Sequence, residues 1–111
     1  MTTMIIRKNS SDHYDSFTCM GHAGYARFPR KKDIVCAAVS VLVINTVNSL
    51  EKLAQEKMDV KTNENTGFID CRFMSEISDQ GKLLMDSMVL GFQGIEQQYG
   101  KKYLELKFEE V

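Results

Sequence analysis

Tryptophan is absent from this chain, and its 111 residues hold one proline and three cysteines. With Pro29 alone, no proline-rich linker or rigid spacer is available. Cys19, Cys36 and Cys71 are odd in number and widely spaced. That excludes the disulfide framework of a small secreted domain and fits a reducing cytoplasm. A dominant sign of charge is missing too: 14 basic against 15 acidic side chains leave a formal charge of −1. A protein that works by blanketing nucleic acid with positive charge is disfavoured. No apolar run reads as long enough to span a bilayer. In MTTMIIRKNSSD the charges follow the short apolar stretch, the reverse of a signal peptide.

What remains is an ordinary globular balance, with 43% hydrophobic and 26% charged residues. The length allows one domain over residues 1–111 and no second. Changes in apolar period divide the chain. Met4, Ile5 and Ile6 begin a strand, Asn9 to Asp12 supply turn chemistry, and Tyr14 to Gly21 reads as a second strand. Asp33 to about Gln55 reads as a long helix. Met58–Thr62 and Phe68–Met74 flank the hairpin signal NENTG. Ser78 to Tyr99 is a second helix, capped by Gly100. Lys102–Glu109 alternates as a final strand. The order ββαββαβ predicts an α+β fold, a mixed or antiparallel sheet with two helices on one face. Gly81, Gly91 and Gly94 lie in the second helix, as close approach to a neighbouring helix, contact with a second subunit or helix irregularity would each explain.

The run Gly21 to Ser40 concentrates the chemistry. Asp33 reads as an N-cap, which places Cys36 on the first helical turn. A helix N-terminus favours an anion by roughly 0.3–1 kcal/mol, so a nearby cationic imidazole is needed to complete a reactive thiolate. His22, at the strand end leading into the helix, is the partner offered by the chain. A structural reading stands beside this one. Cys36, Ser40, Val43, Val47, Leu50 and Ala54 form one helical stripe, and free cysteine often packs as a small hydrophobe. Ser40 interrupts the stripe, either orienting the thiol or bonding back to the helix.

The segments Gly21-His22-Ala23-Gly24-Tyr25-Ala26 and Asp33-Ile34-Val35-Cys36-Ala37-Ala38-Val39-Ser40 resemble those of the bacterial ribosomal-processing cysteine proteases called Prp. The resemblance extends over nearly the whole chain and implies a Cys36–His22 dyad, with Gly21, Asp33 and Ser40 in support. It implies a cytoplasmic, homodimeric endopeptidase that removes the N-terminal extension of large-subunit ribosomal protein twenty-seven, cutting after paired aromatic residues. The loop from Ala23 through Gly24, Tyr25, Ala26, Arg27, Phe28, Pro29, Arg30 and Lys31 to Lys32 would close over the peptide. Backbone N–H groups at Cys36 and its neighbours would bind the oxyanion. One departure is Pro29, in a loop where the family commonly has a glycine; proline stiffens the segment.

Rival readings leave less explained. Arg27, Arg30, Lys31 and Lys32 form a small basic cluster, more in keeping with a solvated loop than with RNA contact, so direct nucleic-acid binding is not expected. Gly21-His22-Ala23-Gly24 mimics the backbone clamp of KH domains, but a strand precedes it where that clamp follows a helix. His13, His22, Cys19, Cys36 and Cys71 show no metal-ligand spacing, so neither metal nor cofactor is expected. Cys19 and Cys71, on strands, read as packing residues. The second helix has an apolar face at Leu84, Met88, Phe92, Ile95 and Tyr99, read as core or as a dimer seam. The alternative to the protease is a non-catalytic ribosome-associated binding module of the same fold.

Overall fold

The computed structural model describes residues 1–21, 29–63 and 65–111, with side chains of the first helix from residue 34 onward. The elements follow the expected order: β1 (Thr2–Lys8), β2 (Tyr14–Met20), α1 (Pro29–Lys52), β3 (Met58–Asn63), β4 (Phe68–Phe73), α2 (Asp79–Tyr99) and β5 (Leu104–Glu110). The five strands form one sheet in the order β3-β4-β2-β1-β5. Every pair is antiparallel except β1–β5, so the sheet is mixed.

Alternation along the strands sorts the two faces. Met4 lies opposite Cys19, Ile6 opposite Phe17, and Phe17 opposite Cys71, which gathers apolar side chains on one face. Both helices pack there. Val35, Val39, Val43 and Leu50 of α1 join Met85, Met88, Val89 and Phe92 of α2 in the same core cluster as those strand residues. The opposite face is polar and self-paired: Arg7 Nη1 donates to Thr18 Oγ1 at 2.8 Å, and Thr18 Oγ1 donates to Asp70 Oδ1 at 2.6 Å.

A bulge refines the register. Arg7 pairs with Ser16 and Lys8 with Tyr14, which leaves Asp15 as an extra residue in β2. The slip turns Tyr14 toward the helices, where its hydroxyl donates to Asp86 Oδ1 on α2 at 2.5 Å. Burial and the Asp86 carboxylate push the Tyr14 phenol far up, and the Tyr14 hydrogen bond lowers the Asp86 carboxyl.

Two expectations about α1 are corrected. The helix opens at Pro29, so Pro29, Arg30, Lys31 and Lys32 form its first turn and do not belong to the loop. Proline suits the first helical position, where its missing N–H would go unpaired in any residue. Asp33 is therefore an interior residue and not the N-cap. Nor does the helix lack the length to cross a membrane: Ile34–Lys52 is long and apolar enough by length and composition. In this fold Val35, Val39, Val43 and Leu50 of that span join the core, while Ile34, Val41 and Ile44 are exposed. The helix ends at Lys52, with Leu53 and Ala54 N–H groups both bonded to the Ser49 carbonyl and Gln55 at a φ of 56°.

The following residue, Glu56, reaches the start of α2. Its carboxylate accepts from Ser78 N at 3.2 Å, and the Ser78 hydroxyl accepts from Gly81 N at 3.1 Å as the N-cap. The three glycines of α2 have different roles. A methyl group on Gly91 would come within 2.7 Å of Leu42, so this glycine lets α1 approach closely. Gly94 faces open space.

Candidate active site

Because α1 begins at Pro29, Cys36 is its eighth residue, two turns in and not on the first turn. The positive end of the helix dipole is felt mainly over the first turn, so it does less for this thiol than the expected position implied. The backbone N–H of Cys36 also falls within the range that bonds to the carbonyl four residues earlier. It is committed to the helix and is not the spare oxyanion donor the sequence offered.

The stripe containing Cys36 is corrected as well. Val35, Val39, Val43 and Leu50 point into the core, whereas Cys36 is half-buried and Ser40 exposed. The core row thus runs one residue off the predicted row through its first half, leaving Cys36 and Ser40 on the flank of the helix. That flank forms one wall of a cavity of about 340 Å³, together with Val39, Val43 and Ile44. Thr2, Cys19 and Gly21 form its end at the sheet. The β3–β4 hairpin closes the far side with Thr62, Asn63, Gly67, Phe68 and Ile69. Cys36 and Cys19 both border this space, Cys19 from a buried position in the core and Cys36 from a half-buried one packed against it.

Gly21 is fixed by its backbone. It has a φ of 85°, and a Cβ there would come within 2.5 Å of the Met1 carbonyl oxygen. Any other residue meets both strain and a clash at the point where the chain leaves β2. This glycine ends the strand at the cavity rim. His22 and residues 23–28 lie outside the described residues, as do the side chains of Arg30, Lys31, Lys32 and Asp33.

The three thiols are in distinct settings. Burial pushes the Cys19 thiol up to about 11. Burial, with the Asp70 carboxylate nearby, pushes that of Cys71 up to about 12. Both are suited to packing, as expected. Cys36 has the more open setting. Among the described residues, no group of three or more His, Cys, Asp or Glu side chains is placed to hold a metal ion.

The sequence did not reveal the hairpin wall. Asn63 is placed by a turn in which its Oδ1 accepts from Asn65 N at 3.0 Å. One sign was legible in principle: Ile44 is apolar, yet lies on the exposed side of α1 at 52% accessibility.

The profile of the family described as "Cysteine protease Prp" matches residues 1–104. The chain belongs to that family. A Prp of Staphylococcus aureus, named as a ribosomal processing cysteine protease, is 28% identical over 101 residues, covering 91% of this chain and 93% of the relative. The Prp of Bacillus subtilis is 27% identical over 103 residues, covering 89% and 90% of the two chains. A crystal structure of the S. aureus Prp with a covalently linked product peptide superposes with a TM-score of 0.87 at 27% identity, covering 97% and 99% of the two chains. A Streptococcus mutans protein of 27% identity superposes at 0.82, covering 100% and 96%. Membership of the Prp family makes this chain a cysteine protease of the ribosomal-processing kind and accounts for the fold.

Proposed function

We propose that this chain is an endopeptidase that removes the N-terminal extension of large-subunit ribosomal protein twenty-seven, using Cys36 and His22. The observation that carries the reading is the half-buried Cys36 on the wall of a substrate-sized cavity, whose rim holds Gly21, the residue before His22. A covalently linked product peptide on the S. aureus relative supports a peptide as substrate.

In this mechanism His22 takes the proton from Cys36, and Sγ attacks the carbonyl carbon of the scissile bond. The tetrahedral intermediate collapses with cleavage of the C–N bond, and the imidazolium gives its proton to the leaving amine. Water, deprotonated by His22, then attacks the thioester. The acid product leaves and the thiol is regenerated. No cofactor enters these steps. Ser40, one turn beyond Cys36, and Asp33, three residues before it, are supporting residues, as is Gly21. The residues ahead of α1, 23 to 28, contact the peptide in this reading. The enzyme acts in the cytoplasm, as one domain and as a homodimer, on a protein precursor and not on nucleic acid.

Incubating the precursor protein with wild type, Cys36→Ala and His22→Ala, and reading the new N-terminus by mass spectrometry, tests this. Wild type is expected to release the extension after adjacent aromatic residues. Each variant is expected to lose at least about a thousandfold in rate while keeping the wild-type circular dichroism, in line with loss of nucleophilic or acid–base catalysis. Intact precursor after incubation with wild type contradicts the reading.

A further inference from the structure

A second depression of about 100 Å³ lies between α1 and the β3–β4 pair, lined by Ile44, Val47, Asn48, Val60, Thr62 and Ile69. Three of these residues, Ile44, Thr62 and Ile69, also line the Cys36 cavity, so the two adjoin across these side chains. The combined cleft follows α1 from Cys36 to Asn48. Twelve helical residues at about 1.5 Å each make about 18 Å, the span of about five residues of extended peptide.

The floor and rim of the cleft favour an extended occupant. Val60 pairs with Cys71 and Thr62 with Ile69, so both lie on the helix-covered side of the sheet. Asp59 and Lys61 alternate to the other side and are ion-paired at 4.0 Å. Among the described residues β3 is the end strand, bonded to β4 alone, so its outer edge has a row of backbone donors and acceptors not used by the sheet. Such an edge accepts an added strand, with main-chain bonds giving affinity and alternate side chains giving specificity. Val60 at 38% and Ile44 at 52% are unusually accessible for β-branched residues facing a cleft.

Resting on the protease reading above, we infer that the substrate extends away from the scissile bond along this cleft. It adds as a strand to the outer edge of β3 and places apolar side chains, two residues apart, between Ile44 and Val60. Adjacency to the Cys36 cavity, with three wall residues in common, makes the occupant a further part of the same peptide. The added segment is apolar at every second position, because only alternate side chains of an extended strand face the cleft.

The test uses the Cys36→Ala protein, so that binding is read without cleavage. The probes share a six-residue core spanning the extension junction. They are lengthened at either end by Val-Ser-Val-Ser or by Ser-Ser-Ser-Ser. At one end, the valine-containing extension is expected to lower Kd about tenfold relative to the serine control. Adding Ile44→Asp on the helix side, or Val60→Asp on the strand side, is expected to remove that gain. Equal affinities for the two extensions at both ends would overturn the inference. So would a gain that survives both substitutions. If the valine gain is present and sensitive to both substitutions, yet wild type cuts none of the probes, the cleft stands and the protease reading falls.

Discussion

At the scale of single residues, the three cysteines show how burial separates chemistry from packing. Cys71 is fully enclosed and Cys19 nearly so, and burial raises both thiols well above their usual range. A buried neutral thiol is a poor nucleophile, because the thiolate is the reactive form and low-dielectric surroundings disfavour it. Cys36 borders open space. Iodoacetamide at pH 7 is therefore expected to modify Cys36 at least about ten times faster than either of the others. Cys19 and Cys71 should react only as the protein unfolds, as peptide mapping over time would show. Modification of Cys71 at a rate equal to that of Cys36 would contradict the assignment.

At the scale of elements, the start of α2 is tied to the segment after α1 by side-chain hydrogen bonds. Glu56 holds the Ser78 backbone, Ser78 caps Gly81, and a Cβ at Gly81 would force Glu56 and Ile77 to shift. A methyl group there would lie 2.5 Å from Glu56 Oε2 and 2.7 Å from Ile77 Cγ1. Gly81→Ala is thus expected to destabilise by about 1–3 kcal/mol, the usual range for overpacking, despite the higher helix propensity of alanine. Gly94→Ala meets nothing within 4 Å and should stabilise by up to about 1 kcal/mol. Urea denaturation of the pair checks the opposite signs. Two shifts in the same direction would show that the Glu56 cap yields more easily than its hydrogen bonds indicate.

At the scale of the whole molecule, the shifted groups set how stability depends on pH. Cys19 and Cys71 are neutral in the fold and have raised folded values, as does Tyr14. The contribution of the two thiols is full below pH 9 and declines above it, and that of Tyr14 declines above pH 10, as the unfolded chain ionises first. Each thiol contributes up to about 1.4 kcal/mol per pH unit in that range. Asp86 has the opposite sign: its folded value is lowered, so its contribution is present above pH 3.8 and is lost as acid protonates it. Melting temperature should fall between pH 9 and pH 10.5, and less steeply in Cys71→Ala. Parallel slopes would contradict the role given to that thiol.

The same scale shows what the sequence could and could not reveal. Element order and the helix-covered face were readable because strand alternation and helical period are local signals. The start of α1 was not. Pro29 followed by Arg30, Lys31 and Lys32 looked like a loop, since three cations sit unfavourably at a helix N-terminus and Asp33 offered a rival cap. That four-residue shift moved Cys36 from the first turn to the third. The site was half legible. Cys36 and Gly21 belong to one continuous run, but the opposite wall comes from a hairpin some thirty residues onward. Its placement depends on β4 pairing with β2, which no local pattern records.

The most direct measurement is covalent trapping with a chloromethyl ketone of the junction peptide, followed by mass spectrometry of the intact and digested protein. One adduct per chain, on Cys36, with the rate of labelling greatly reduced in His22→Ala, is the predicted result. Labelling on Cys19 or Cys71, or labelling of Cys36 at an unchanged rate without His22, would contradict the account.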